Sequence, residues 1–313
     1  MKKHAYLIVA HDKFDQLAFL LQLLDYPQHD FFVHIDKKSK ISEPEIAALQ
    51  EATKESTLTL IPRRAVYWGD FSQIQCELDL FEAAHAAGDY QFYHLLSGVD
   101  LPLRSPETIY QFFSQHSNQN FITRFNQDEF RDLKLHKLVE HYHLTTKLPR
   151  KLSQPWHKIL RAYRILENKV QTALKVDRLK GNREIWGLDA YANWKSINQE
   201  AVQAILAEKA FIHHHFHHSF CADELYVPMV FKRANLLSTI YHYDHVTDRP
   251  DEVQGNLSYI NWWDGHPYEW TDSDHDKAQL EQGIALGHLF SRKFNLHASP
   301  GMKDFIQEKV KEA

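Results

Sequence analysis

The 313-residue sequence has only two cysteines, Cys76 and Cys221, and they show no CxxC spacing. That excludes a disulfide framework and a zinc knuckle, and reads most simply as two reduced thiols in a cytosolic protein. No stretch approaches the roughly 20 apolar residues that span a bilayer. The apolar run after Met1-Lys2-Lys3 stops within seven residues at His11-Asp12-Lys13 and offers no small-residue cleavage site, so no secretory signal is expected. Excess positive charge is also lacking: a net charge of −5 and a pI near 6.5 argue against a protein made chiefly for nucleic acid. The absence of a GxGxxG or Walker loop weakens a dinucleotide or NTPase reading. His213, His214, His215, His217 and His218 cluster without an HExxH or Cys partner pattern, and no zinc site is expected there. Asp272, Asp274 and Asp276 lack the Gly and distal Glu of a calcium loop and read as a solvated turn. No internal repeat or low-complexity linker is found.

What the chain does have is apolar and aromatic residues in quantity, 43% and 13%, enough for one large core or two closely joined lobes. Histidine is the oddity, with 22 copies against 10 glycines; protonating all of them would move the formal charge from −5 to +17, so solubility near pH 6 is expected to depend on pH. His4 to Ala10 is a continuously apolar run of the kind buried on both faces of a parallel sheet. Phe14, Leu17, Leu20, Leu21 and Leu24 follow at helical spacing until Pro27, and Phe31 to Asp36 is a second short strand. Strand, helix, strand is a βαβ unit, and open α/β sheets take ligands at the carboxyl ends of such strands. His11 and Asp36 stand there.

Leu58 to Ile61 predicts a third strand, Val66-Tyr67-Trp68-Gly69 a loop with exposed aromatics, and Ser72 to Ala87 a helix with Ile74, Leu78 and Phe81 inward. Tyr90 to Leu96 is a strand that runs into Ser97-Gly98-Val99-Asp100-Leu101-Pro102, a functional-loop pattern at a sheet edge in which Asp100 either fixes its own turn or contacts a ligand. From about 124 to 181 the strand pattern disappears. Trp156, Ile159, Leu160, Tyr163, Leu166, Val170 and Leu174 predict an amphipathic helix, and eleven Lys or Arg against two acids lie between Lys147 and Arg183. Such a stretch suits anionic lipid headgroups, a pyrophosphate-bearing substrate or, equally, plain solvent. Further strand and loop are expected over Ile185 to Trp194, and a helix from Asn198 to Ala207 with Asn198 as its N-cap. A strand is expected over Tyr259 to Trp263. The expectation is a single domain, 1–313, with an inserted helical region about 124–181.

The pair Asp223-Glu224 lies in an otherwise apolar stretch, Phe220 to Pro228. Burial raises the pKa of a carboxyl group, so such a pair is kept where it is paired or useful. Glu224 is the candidate general base. The plainer alternative makes Asp223 a helix cap and Glu224 half of an internal ion pair.

Several stretches together resemble the core-2/I-branching β-1,6-N-acetylglucosaminyltransferases, glycosyltransferase family 14, which also contains the peptide xylosyltransferases. They are Ala5 to His11, Val33-His34-Ile35-Asp36-Lys37-Lys38-Ser39, Val66 to Gly69, His94 to Leu103, Trp194 to Asn198, Asp223-Glu224 and Phe290 to Phe294, in the family's order from about residue 4 to 295. The resemblance implies a GT-A-like α/β fold with a mixed, mainly parallel sheet. It also implies inverting transfer from a nucleotide sugar without the usual Asp-x-Asp metal site, so no metal and no cofactor are expected. Carried over by position, His11, Asp36 and Tyr67 would hold the uridine, Glu224 would be the base, Lys293 would meet the diphosphate, and Trp262 would border the acceptor. Asp100, from its own loop and not from the resemblance, is a second candidate acceptor contact. Branching-type members place an Arg upstream of the lysine motif; the stretch around Trp270 has none, so either Arg292 substitutes or the donor is held differently. The implied partners are UDP-N-acetylglucosamine first, UDP-xylose or another UDP-hexose second, and a glycan acceptor. The basic helix adds the expectation of a lipid-linked acceptor in cell-surface polysaccharide synthesis and peripheral contact at the inner face of the membrane. A catalytically silent carbohydrate-binding protein is the alternative of another class.

Overall fold

The computed structural model describes residues 2–124, 137–148, 153–178, 180, 191–242, 249–265 and 268–312. A six-stranded sheet carries β1 (Lys3–Ala10), β2 (His29–Ile35), β3 (Thr57–Leu60), β4 (Tyr90–Ser97), β6 (Phe121–Arg124) and β7 (Tyr191–Asn198) in the order β3-β2-β1-β4-β7-β6. The first four run parallel, and β7 is antiparallel to both β4 and β6. A three-stranded sheet joins β5 (Leu101–Pro102), β9 (Phe290–Arg292) and β8 (Ser258–Ile260), with β9 in the middle. This is the mixed, mainly parallel α/β class that the family resemblance implies.

The period of two along β1 explains why both faces of the large sheet are dry. Ala5 and Leu7 turn to one core, where they meet Ile74, Leu78 and Phe81 of α3 (Ser72–Ala87). Tyr6, Ile8 and Ala10 turn to the other, against Leu17, Leu20, Leu21 and Leu24 of α1 (Phe14–Leu24). Helices α2 (Glu43–Glu51) and α4 (Pro106–Gln115) complete the first half of the chain, each opened by a serine whose side chain accepts from the helix backbone. A short turn α5 (Lys137–Glu140) leads to α6 (Trp156–Ala173), the amphipathic helix expected from its spacing. Asn198 caps α7 (Gln199–Ala207) by accepting from the Ala201 amide at 3.0 Å, and α8 (Lys209–Phe216), α9 (Tyr226–Arg233), α10 (Asp274–Ala285) and α11 (Gly301–Glu312) follow. No helix among the described residues is long and apolar enough to cross a membrane.

Phe121–Arg124 is a strand at the sheet edge that the sequence reading does not name, and it ends where the strand pattern is expected to disappear. Two expectations are corrected. The expected strand over Tyr259 to Trp263 covers only Ser258–Ile260, and the two tryptophans lie beyond its end. Asp272 and Asp274 are exposed as a solvated turn requires, but α10 already begins at Asp274, and Asp276 is buried while its carboxylate accepts from the Thr271 amide and hydroxyl and the Tyr268 hydroxyl, all at 2.7 Å. A buried carboxylate with three donors needs no solvent.

The histidines also divide in a way that composition hides. His4, His29 and His94 are buried side by side; His94 meets Ser196 Oγ at 2.8 Å and His4 at 3.2 Å, and His29 Nδ1 lies 2.9 Å from the Leu24 carbonyl. Burial is the main reason their pKa values fall, to about 3 for His4, about 4 for His29 and well below 6.5 for His94. The unfolded chain binds these protons near pH 6.5 and the fold refuses them, so this part of the stability is whole above that pH. It drains as pH falls toward the folded values, by roughly 1.4 kcal/mol per pH unit per histidine. We expect melting temperature to fall steadily from pH 6.5 to about 4; a flat profile in scanning calorimetry across that window would show that the rings are charged in the fold.

Candidate active site

At the carboxyl end of the parallel strands the chain builds a connected framework. The turn closing β4 is fixed by Asp100, which accepts from the Ser97 amide at 2.9 Å and the Ser97 hydroxyl at 2.6 Å. The Phe294 amide donates to the Val99 carbonyl at 2.9 Å, and the buried Gln16 of α1 donates to the Phe294 carbonyl at 3.1 Å and accepts from the Leu296 amide at 3.0 Å. The end of β9 is thereby held across the ends of β1 and β4.

That placement aims Arg292 and Lys293 into a cavity of about 580 Å³. Glu224 and Asp223 reach the same cavity from a single turn of 3-10 helix, Ala222–Glu224, ahead of α9, and Trp262 reaches it from beyond β8. Four of the expected site residues, Glu224, Arg292, Lys293 and Trp262, thus come together. Among the described lining residues none belongs to α6, so the basic helix does not approach a pyrophosphate bound there.

The turn that carries Asp223 and Glu224 is locked by a close approach. Gly69 has φ +74°, and a Cβ there would come within 2.5 Å of the Phe220 ring; the Cys221 amide donates to the Gly69 carbonyl at 2.9 Å. Only glycine suits that backbone and that gap. Trp68, also at the cavity, stands edge-on to Phe220 at 5.4 Å between ring centres. Asp223 accepts from Gln73 of α3 at 3.3 Å. Behind the pair lies Lys195 of β7, 3% exposed, bonded to Glu77 at 2.9 Å, while the Tyr226 hydroxyl donates to the same Glu77 oxygen at 2.6 Å. Asp223 caps no helix, because the residue before α9 is Leu225. Burial first, and the charge of Asp223 second, push the Glu224 carboxyl up from the usual range; burial and then Glu77 do the same to Asp223, and Lys195 pulls both back. The pair therefore takes up a proton more readily than solvated carboxylates do.

Arg292 is buried, with its guanidinium 3.3 Å from Asp100 and 4.2 Å above the Trp194 ring. Lys293 is half-buried; burial and then the Arg292 charge lower its pKa. Asp100 is 1% exposed and sits behind Arg292 rather than on the cavity wall. Of the two readings its sequence left open, the turn-fixing one describes where it stands.

His11, Asp36 and Tyr67 lie outside the described lining of that cavity, gathered at the ends of β1 and β2. The Asp36 carboxylate accepts from the Lys38 amide at 2.9 Å, and Lys38 Nζ stands 3.4 Å from it and 4.2 Å above the Tyr67 ring. His11 is largely exposed beside Asp12, and its carbonyl accepts from Ser39 Oγ at 2.5 Å. Tyr67 connects this cluster to the cavity through its neighbour Trp68. Sequence reasoning did not single out Gln73, Lys195 or Lys38 as site residues. A lysine in the middle of a core strand was the available signal for Lys195, since such a group is kept only when paired. Among the described residues no group of three or more His, Cys, Asp or Glu could hold a metal ion.

Comparison with known proteins adds to this geometry. Xylosyltransferase 2 of Canis lupus familiaris is 32% identical over 145 residues, a match that takes in 44% of this chain and 16% of the length of that relative. A xylosyltransferase of Ciona intestinalis is 27% identical over 127 residues, or 40% of this chain and 15% of the relative. The structure of mouse xyloside xylosyltransferase 1 aligns over 95% of this chain and 99% of its own, with a TM-score of 0.40 and 11% identity, too distant a likeness to build on. The profile of the Core-2/I-Branching enzymes matches residues 4–281, which takes in β1 to β8 and the turn that carries Asp223 and Glu224 but ends before β9, Arg292 and Lys293. The chain belongs to the Core-2/I-Branching enzyme family.

Proposed function

We propose that this chain is an inverting, metal-independent glycosyltransferase that moves a sugar from a UDP-linked donor to a hydroxyl group of a glycan acceptor. The observation that carries this reading is the meeting of Glu224, Arg292, Lys293 and Trp262 around one cavity. In such a transfer a base takes the proton of the acceptor hydroxyl while that oxygen attacks the anomeric carbon, and the bond to the diphosphate breaks on the opposite face. Glu224 is the base. Its raised pKa brings it nearer to neutral pH, where a general base is most effective. Negative charge grows on the departing diphosphate, and fixed cations stabilise it most where water is scarce. Arg292 and Lys293 are those cations.

Arg292 also accounts for the arginine missing near Trp270. The Trp270 amide donates to the Lys293 carbonyl at 2.9 Å and its indole to the Arg292 carbonyl at 3.1 Å, so the two stretches lie side by side. A guanidinium from either one would serve the same neighbourhood. Trp262 and Trp68 offer flat faces to sugar C–H groups. His11, Asp36 and Tyr67 receive the nucleoside, supported by their place at the strand ends where open sheets bind ligands. N-acetylglucosamine is the donor sugar of the first reading, with cell-surface polysaccharide as the product class. Xylose is the second, favoured by the names of the relatives.

Replacing Glu224 by Gln keeps size and removes the base. Transfer is expected to fall by roughly 10²- to 10⁴-fold with UDP affinity retained in titration calorimetry; unchanged turnover would take Glu224 out of the mechanism. Lys293→Met is expected to weaken UDP binding by roughly tenfold or more, the loss of one charged hydrogen bond, and equal affinity would count against its place at the diphosphate. Asp100→Ala strips a buried guanidinium of its counter-charge and is expected to cost about 3–5 kcal/mol of stability in urea titration. In a thermal-shift screen the donor should raise the melting temperature equally with and without EDTA. A rise abolished by the chelator would overturn metal independence, and a rise with UDP-xylose but not UDP-N-acetylglucosamine would replace the first donor by the second.

A further inference from the structure

Helix α6 exposes what helices of folded domains hide. None of its residues is buried, and Trp156, Ile159, Tyr163, Leu166 and Val170 are exposed by 62, 54, 42, 60 and 45%. Their steps of three and four put them on one stripe. Among the described residues, every exposed large apolar side chain except Trp68 lies between Tyr142 and Leu174, so the exposure is one patch and not a scatter. The inward face of α6 is polar and satisfied: Arg164 donates to the Thr145 hydroxyl at 3.0 Å and carbonyl at 2.9 Å, and Gln171 exchanges two 2.8 Å bonds with the Tyr142 backbone. The helix is therefore anchored by its polar side with its apolar side outward.

The charge around the stripe selects what covers it. Lys158, Arg161 and Lys169 are exposed on α6, and Lys147 and Lys175 flank it, whereas the one acid of the helix, Glu167, is turned toward the Leu144 amide. Pairing with a second copy would set these cations against their own counterparts. An anionic surface that also accepts apolar side chains suits both features, which is the composition of an interfacial helix. We infer that α6 docks the protein onto a bilayer bearing anionic headgroups, with Trp156, Ile159, Tyr163, Leu166 and Val170 entering the headgroup and acyl boundary and the lysines meeting the phosphates.

The patch is tied to the cavity. Thr146 Oγ1 donates to Asp70 at 2.6 Å, and the Phe220 amide donates to the Leu138 carbonyl at 2.9 Å, next to the Trp68–Gly69 loop at the cavity. Docking by α6 thus fixes the catalytic cavity relative to the membrane, as a membrane-borne acceptor requires. The inference stands apart from the transfer chemistry, because vesicle binding is read without substrate.

The test is flotation of the full chain with vesicles of phosphatidylcholine alone and with phosphatidylglycerol added. We expect flotation only with the anionic lipid, weakened by salt, and lowered by roughly tenfold or more in Lys158→Glu/Lys169→Glu and in Ile159→Glu/Leu166→Glu. All four sites are exposed and none lines the cavity, so activity on a soluble acceptor should be unchanged. Absence of flotation, or flotation untouched by the Ile159/Leu166 pair, would overturn the inference. So would light scattering that shows a dimer which the same pair converts to monomer, since a second copy would then be what covers the stripe.

Discussion

The ion pair between Arg292 and Asp100 is the constraint on which the site depends. Burying a guanidinium is costly unless a carboxylate and good geometry compensate, so Arg292 is confined to the one place where Asp100 and the Trp194 ring both receive it. Asp100 is itself immobilised by Ser97 at the end of β4, and Trp194 belongs to β7. Through one side chain, β4, β7 and β9 agree on where positive charge enters the cavity. Lys293 then inherits its position from its neighbour, because its carbonyl is held by Trp270 and the next residue by Val99.

The other charged group is arranged by the same rule with signs reversed. Two carboxyls, Asp223 and Glu224, are presented by a short turn, and a buried lysine stands behind them, clamped by Glu77 and Tyr226. The lysine limits how far burial can raise the pair, and the pair remains able to exchange a proton. Cations from β9 and carboxyls from the turn before α9 therefore share a cavity without collapsing into a salt bridge with each other. Arg292 is already committed to Asp100, and Asp223 to Gln73.

Much of the scaffold was legible because it depends on local period. β1, α1 and α3 carry their apolar residues at spacings of two or three to four, and Asn198 announces its helix by its side chain. Phe121–Arg124 was not legible, since four residues at a sheet edge carry too few positions to show a period. Nor was Glu43–Glu51, where only Leu49 is buried and the apolar pattern is correspondingly faint. In the site, Glu224 stood out as an acid in apolar surroundings, and Lys293 and Arg292 through the order of motifs. Lys195 and Glu77 did not, because 118 residues separate them and only the assembled sheet shows that they meet. Asp100 was ambiguous for the same reason: its turn was visible, its cation was not.

The fit of Phe220 over Gly69 has a consequence for how specificity in this scaffold could be changed. Trp68, beside the glycine, and Glu224, just past the ring, are carried by two segments that touch too closely to be altered one at a time. A loop transplanted from a relative at 66–70 alone would collide with the resident ring, and a new segment at 219–224 alone would leave the glycine uncovered. Exchanging this part of the cavity wall with that of a relative is then a matter of exchanging both stretches as a matched cassette.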